Sequence, residues 1–308
     1  MPDTRAPFCF GNLGCARFSA RLDLRVLLTT AAMKFEILHR THYVYASPVR
    51  ESFNEVRLQP LSNEHQTVES FLLKVLPPAR LRHYHDFYSN CVHHFEIPEP
   101  HSALSIESRL EVTTRANQSL PPDARPANLS RLPESLQHGR CYDFVQGSRY
   151  VELTPEVWRL AVDATQGKDD VWQTVLRLMQ YVHDTLAYQP KSTHVHTHMR
   201  NVLEQRRGVC QDFAHVMIGL CRSLKIPALY VSGYLATQTA SATHAWMEVF
   251  VPGVGWQALD PTHNCQPDET YVKIGVGRDY ADVAPVSGTY KGTTDRTLSV
   301  EVKIEKRN

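Results

Sequence analysis

The sequence has few cysteines, and their spacing excludes several classes of protein. The 308 residues hold seven cysteines, and none forms the C-x-x-C pairs of a structural zinc site. Their number is odd and their spacing irregular, so we expect reduced thiols in a cytoplasmic protein. The cysteines are Cys9, Cys15, Cys91, Cys141, Cys210, Cys221 and Cys265.

The chain also lacks an excess of charge of one sign, a long apolar run and a calcium-binding EF-hand loop. Lysine and arginine total 33 against 32 aspartate and glutamate, a net charge of +1, which gives no field for steering nucleic acid or an anionic membrane. No stretch approaches the roughly 20 apolar residues that span a bilayer. We therefore expect a protein or peptide substrate, no nucleic-acid or membrane partner and no cofactor. The sequence makes no prediction of the oligomeric state.

The chain length favours two domains, which the sequence pattern separates. Residues 1–32 have no clear period, whereas strand-like alternation begins directly after Met33, so we predict a disordered or non-native leader. Short β-rich runs over residues 33–116 predict an antiparallel β-sandwich. Several prolines among the polar residues 117–134 predict an extended, solvated connection, and we place a linker over 117–150. Residues 151–308 would form the second domain.

After this linker the apolar period becomes helical. Thr154, Pro155 and Glu156 together are typical of a helix start. A second helix is predicted after Asp170, because apolar residues recur there at spacings of three and four and form one buried stripe. The stripe consists of Val171, Val175, Leu178, Met179, Val182 and Leu186.

Cys210 lies in the first turn of a third predicted helix, within GVCQDFAHVMIGLCRSLKIP. In that turn, unpaired backbone amides and the positive end of the helix dipole favour a thiolate over a thiol. Cys221 lies in the apolar stripe of the same helix and is better explained as a small buried residue. Cys210 is therefore the candidate nucleophile.

A hairpin supplies a candidate base and an acid to orient it. In HAWMEVF and WQALD the alternation assigns His244 and Asp260 to strand faces, and VPGVG between them indicates a tight reversal. If the hairpin centres on Pro252, residue 244 opposes residue 260, with Cβ atoms roughly 5 Å apart. Asp260 would then hold the Nδ1 proton of His244 and leave the other ring nitrogen to activate Cys210. A structural hairpin with an incidental His and Asp is the alternative.

These segments, with ALDPT, resemble the three signature blocks of the transglutaminase-like superfamily, in the order Cys, His, Asp. The resemblance covers roughly Thr154–His263, and Phe35–Thr114 resembles the amino-terminal domain that accompanies this core in bacterial members. It implies an α+β fold with a papain-like core of helices packed on an antiparallel sheet. It further implies that Cys210 attacks an amide carbonyl to form a thioester, with His244 moving protons and Asp260 orienting His244.

The same resemblance makes Tyr188 a candidate to hold the oxyanion with the backbone amide of Cys210, although packing at a helix end explains this tyrosine equally well. We expect His215 to be an exposed helical histidine without a catalytic role. Two groups of histidines depart from the family pattern, and we expect solvated loops there and no metal ligand. They are His194, His196 and His198, and His83, His85, His93 and His94.

The expected function is a hydrolase, either a protease or an amidase, because nothing in the chain resembles the accessory domains of crosslinking enzymes. A protein-glutamine amine transferase is the alternative, since water and an amine can both resolve a thioester. Two further hypotheses are a non-catalytic binding module on the same fold and a metal hydrolase built on the histidines.

Overall fold

The computed structural model describes residues 32–116, 119–133, 141–236, 241–293 and 295–307. The predicted leader, apart from Ala32, lies outside these residues. Residues 31–308 pack as one unit, and the domain boundaries drawn from the sequence stay a prediction. No helix in the described part of the chain is long and apolar enough to cross a membrane.

The amino-terminal region is an antiparallel sheet built on one long strand, β1 (Met33–Gln59). The strands that follow it are β2 (Gln66–Leu76), β3 (Arg82–His85), β4 (Cys91–Ile97) and β5 (His101–Thr114). The register of β1 against β5 shifts between Val44 and Val49, so the first half of β1 pairs mainly with β5 and the second half with β4. Apolar residues of both halves, among them Tyr45 and Val56, share one core. The predicted antiparallel β-rich fold of this region is confirmed.

Helices follow, as the sequence pattern predicts. They are α1 (Pro155–Thr165), α2 (Val171–Thr185), α3 (Met199–Gln205) and α4 (Cys210–Ser223), with the two-residue strands β6 (Ala187–Tyr188) and β7 (Arg207–Gly208) between them. Thr154 caps α1 by accepting a hydrogen bond from the Val157 amide at 3.3 Å, and Asp170 caps α2 through the Gln173 amide at 3.1 Å. The apolar stripe of α2 is buried in the main core.

A second antiparallel sheet, in the order β10, β9, β8, β11, lies against α4. Its strands are β8 (Ala228–Ala236), β9 (Ser241–Val251), β10 (Gly255–Leu259) and β11 (Tyr271–Gly277). The helix buries Phe213, Met217 and Leu220 completely or nearly so against this sheet and the neighbouring helices. This is the predicted arrangement of helices on an antiparallel sheet.

The carboxy-terminal segment returns to the amino-terminal sheet. A short helix α5 (Tyr280–Val283) leads into β12 (Val286–Lys291) and β13 (Arg296–Arg307). Strand β12 pairs with the second half of β1, and β13 pairs with its first half. Strand β13 also lies beside β8 and β9. The last strand of the chain is therefore part of the first sheet and lies beside the second.

The predicted linker packs on the helices over much of its described length. The indole of Trp172 donates a hydrogen bond to the Pro121 carbonyl at 2.9 Å, and Leu132 and Tyr150 are buried. Burial of these apolar side chains overturns the expectation of a solvated connection. Their irregular spacing between prolines gave no period from which to predict it.

Candidate active site

The start of α4 fixes the position of Cys210. The carboxylate of Asp212 accepts hydrogen bonds from the Val209 amide at 2.8 Å and from the Thr193 hydroxyl at 2.6 Å. A Cβ atom at Gly208 would lie 2.6 Å from the Cβ of Asp212, so this turn requires a glycine. Cys210 is half-buried and faces a cavity of about 320 Å³. The structure thus places the predicted nucleophile at an accessible helix start.

His244 and Asp260 meet beside this cavity. The Nε2 atom of His244 lies 2.7 Å from Oδ2 of Asp260, and the carboxylate is fully buried. His244 also interacts electrostatically with Cys210, which lines the same cavity. The predicted contact between His244 and Asp260 is present, but the prediction that Nδ1 of His244 makes this contact was wrong. Asp260 binds Nε2, so Nδ1 is the nitrogen left for the thiol.

The charges of this site support one another. Burial lowers the pKa of His244. The hydrogen bond to Asp260, the interaction with Cys210 and the charges of both residues outweigh this effect and raise the pKa to about 9. Burial raises the pKa of the Asp260 carboxyl group. The hydrogen bonds of Asp260 to His244 and His263 outweigh burial and hold this pKa well below its ordinary value. His244 is therefore protonated at neutral pH and can balance a thiolate on Cys210.

The hairpin that joins His244 to Asp260 has a different register from the predicted one. Gly255 pairs with Val251 and Leu259 pairs with Met247, so the turn centres on Gly253 instead of Pro252. Asp260 is consequently a diagonal neighbour of His244 and not its direct partner. The two side chains still share a face, because the centre moved by one whole residue and the pairing therefore shifted by two.

Two residues that the sequence pattern did not indicate also bind Asp260. Nδ1 of His263 lies 2.7 Å from Oδ2, and the hydroxyl of Tyr271 donates to the same oxygen at 2.8 Å. Burial and the charge of Asp260 raise the pKa of Tyr271 far above its ordinary value. The turn after Asp260, in DPTHN, was the available signal for His263.

Within the described residues, the side chains around Asp260 form a cluster that could hold a metal ion. One ligand atom each from His244, Asp260 and His263 lies within 4.8 Å of the others. Neither of the two histidine groups noted in the sequence forms such a cluster there. A metal at this site would occupy the nitrogen by which His244 binds Asp260, so it would compete with the thiol chemistry.

The cavity at Cys210 is bounded by both sheets. Tyr230 of β8 is buried there, and burial followed by the charge of Cys210 raises its pKa well above the ordinary value. On the opposite side stand Leu298 and Val300 of β13, which are 52% and 53% exposed. Strand β13 thus forms one wall of the cavity, although the sequence analysis assigned no site residue to this strand.

Two other residues considered from the sequence have clear positions. Tyr188 is 56% exposed with its ring centroid 6.3 Å from that of Phe213, and burial and the charge of Cys210 raise its pKa. Its role in holding an oxyanion stays a prediction. His215 is fully buried, contrary to expectation, and its Nε2 accepts a hydrogen bond from the Tyr280 amide at 3.2 Å. Burial lowers the pKa of His215 to about 4, so it is a neutral packing residue.

Comparisons with known proteins match both regions of the chain. The family model described as the transglutaminase-like superfamily matches residues 159–261, and the bacterial transglutaminase-like N-terminal region matches residues 35–113. An uncharacterized protein of Mycobacterium leprae is 35% identical over 280 residues, which cover 88% of this chain and 98% of that protein.

Two further matches carry functional descriptions. A crystal structure from Cytophaga hutchinsonii, described as a "putative cysteine protease", has a TM-score of 0.77 and 26% identity, covering 90% of this chain and 92% of that one. A protein-glutamine gamma-glutamyltransferase of Pseudomonas aeruginosa is 28% identical over 127 residues, covering 37% of this chain and 19% of that protein.

Proposed function

The chain belongs to the transglutaminase-like superfamily, and from this premise we propose that it is a cysteine enzyme that hydrolyses amide bonds through a thioester. The observation that carries the proposal is the buried pair of His244 and Asp260 beside an accessible Cys210. The raised pKa of His244 supports an ion pair with the thiolate at neutral pH.

The proposed reaction has two halves. The thiolate of Cys210 attacks the amide carbonyl carbon, and the resulting oxyanion collapses to break the C–N bond. The departing amine takes a proton from His244, which leaves a thioester. Water then gives a proton to His244 as it attacks the thioester carbon, and collapse of the second oxyanion breaks the C–S bond. Asp260 keeps the imidazole oriented throughout by its bond to Nε2.

Stabilisation of the oxyanion is assigned to the backbone amide of Cys210 and, as a second donor, to the hydroxyl of Tyr188. The position of Cys210 at the start of α4 supports the first assignment, because the early amides of a helix have no intrahelical partner. The electrostatic interaction of Tyr188 with Cys210 supports the second.

Hydrolysis is proposed ahead of amine transfer. The similarity over most of both chains to a protein described as a cysteine protease supports a protease or an amidase. The shorter similarity to a gamma-glutamyltransferase supports crosslinking of protein glutamine as the alternative. We propose a protein or peptide as substrate and a cytoplasmic location, which the free thiols of Cys91, Cys141 and Cys221 support.

The test is the pH dependence of iodoacetamide labelling at each cysteine, measured by mass spectrometry. We expect Cys210 to react rapidly at pH 6, and His244→Ala to slow that reaction at least about tenfold because the thiolate loses its counter-ion. Cys91, which is buried in the amino-terminal sheet and whose thiol contacts Gln59, is the internal control and should not respond to this change. Equal, slow labelling of Cys210 in both proteins would instead favour a binding module without catalysis.

A labelled substrate then separates the two enzyme activities. Glutamine-containing peptides are incubated with and without a lysine analogue, and the products are identified by mass. A carboxylic acid product that predominates in the presence of the amine supports the hydrolase. A predominant amide of the added amine supports the transferase.

A further inference from the structure

We infer that the cleft at Cys210 continues into a carboxylate-binding subsite, so that the preferred substrate is an extended peptide bearing a negative charge. The inference rests on the proposed function and specifies its substrate class. The subsite is formed around the guanidinium groups of Arg149 and Arg296, neither of which was a candidate from the sequence.

The subsite is a second cavity that adjoins the first. It measures about 470 Å³ and shares five lining residues with the cavity at Cys210. The shared residues are Tyr43, Val195, Tyr280, Val286 and Leu298. Because the two cavities have these walls in common, a ligand bound at Cys210 can extend directly into the second.

Paired strands β1 and β13 line the cleft in a regular row. Thr41 pairs with Val300, Tyr43 with Leu298 and Tyr45 with Arg296. Alternate residues of a strand share a face, so these side chains form one continuous surface. The row runs from the apolar Val300 beside Cys210 to the cation of Arg296. Its four-residue step corresponds to about 13 Å, the length of an extended peptide of about four residues.

The polar groups of the second cavity are predominantly donors. Arg149 and Arg296 are exposed, and their side chains form neither an ion pair nor a hydrogen bond within the described residues. No aspartate or glutamate of the described chain lines either cavity.

Aromatic rings hold the cations in place. The guanidinium of Arg296 lies 5.3 Å from the ring centroid of Tyr43 and 5.7 Å from that of Tyr290. The guanidinium of Arg149 lies 5.5 Å from the ring centroid of Tyr150. Stacking orients both side chains without neutralising them, which keeps their N–H groups available for an anion.

The test uses electrophilic peptides that label Cys210. N-chloroacetyl-Gly-Gly-Glu-amide is compared with its Gln analogue, and acetyl-Glu-Gly-Gly-chloromethyl ketone with its Gln analogue covers the opposite chain direction. Labelling rates against probe concentration are measured by mass spectrometry on the full chain. We expect one Glu probe to reach half-maximal rate at about fivefold lower concentration than its Gln analogue, a preference that decreases at high salt.

Variants assign the preference to the subsite. Arg149→Gln with Arg296→Gln should abolish the preference for the Glu probe over its Gln analogue. The matched control is Arg159→Gln, because Arg159 also stacks on an aromatic ring, Trp158, and is exposed outside the cleft. It should retain the preference.

The outcomes separate this inference from the function on which it rests. Rapid labelling of Cys210 without a charge preference in either chain direction, or a preference that survives the double substitution, would overturn the subsite alone. Labelling of Cys210 no faster than that of Cys265 by every probe would overturn the proposed function, and the subsite with it.

Discussion

Replacing Asp260 by Asn should reduce the stability of the protein by an amount that depends on pH. The substitution keeps the size of the side chain and removes the charge that holds the proton on His244. Burial lowers the pKa of this histidine, and in the variant only the interaction with Cys210 is left to raise it, so we expect the pKa to fall towards its ordinary value of 6.5.

The magnitude follows from the pKa values. A rise from 6.5 to about 9 on folding corresponds to about 3 kcal/mol, since each pKa unit is about 1.4 kcal/mol, and His244 is too buried for strong screening by solvent. The lowered pKa of Asp260 expresses the same interaction, so it is counted once. The stabilisation from His244 is complete below pH 6.5 and is lost as the pH rises through 9. The part expressed at Asp260 is present above its ordinary pKa of 3.8 and is lost at lower pH.

The assay is urea unfolding of both proteins at about pH 5.5 and pH 9.5. We expect the wild-type chain to be more stable by up to about 3 kcal/mol at the lower pH, because Cys210 supplies part of the pKa rise, and the difference to be smaller at the higher pH. A stability difference of equal size at both pH values would refute the ion-pair reasoning.

Three other substitutions test the surroundings of the site by urea unfolding. Arg222→Met should lower the free energy of unfolding by more than about 3 kcal/mol, because three backbone carbonyls would lose their hydrogen-bond donor. The fully buried guanidinium donates to the carbonyls of Gln146, Ala228 and Arg278 at 2.9, 2.8 and 2.7 Å. A loss below about 1 kcal/mol would contradict this. Gly233→Ala should lower the free energy of unfolding by about 1 to 3 kcal/mol and slow the labelling of Cys210. The new Cβ would lie 2.2 Å from the Val272 carbonyl oxygen and 2.6 Å from the Trp246 ring. The control Gly147→Ala should be tolerated, because the nearest atom to its Cβ would be at 3.4 Å. His263→Ala should lower the free energy of unfolding by less than about 1 kcal/mol, because the His263 side chain is 49% exposed and two other donors remain on the same oxygen of Asp260. A loss equal to that of Asp260→Asn would give His263 a larger role.

Local sequence signals predicted the elements that carry the candidate site. The helix containing Cys210 and the strand after it were indicated by apolar spacing and by glycine and proline at their ends. The hairpin between His244 and Asp260 was predicted with the wrong centre, and the shared face survived because side chains in a strand alternate with a period of two. A centre displaced by half a residue would have put the two side chains on opposite faces.

The ring nitrogen and the additional partners of Asp260 depend on geometry that a strand pattern does not contain. Which nitrogen of His244 faces the carboxylate is decided by the side-chain rotamer and by the diagonal position of Asp260. His263 reaches the same oxygen because the chain turns directly after the strand, with the Thr262 amide donating to the other carboxylate oxygen at 2.8 Å. Turns of this kind are determined by backbone conformation and not by a hydrophobic period.

The pairing of β13 with β1 could not be predicted from local patterns, and it determines what the cleft can admit. Lys34 pairs with Arg307 across nearly the whole chain, so no local period contains the information. Hydrolysis and amine transfer share every chemical step up to the thioester, and the residues that carry those steps lie within or beside the matched core at 159–261. Leu298 and Arg296, which line the cleft, lie outside both matched regions. The proposed chemistry therefore rests on residues of the matched core, whereas the proposed choice of substrate rests on a strand that only the folded chain brings to the site.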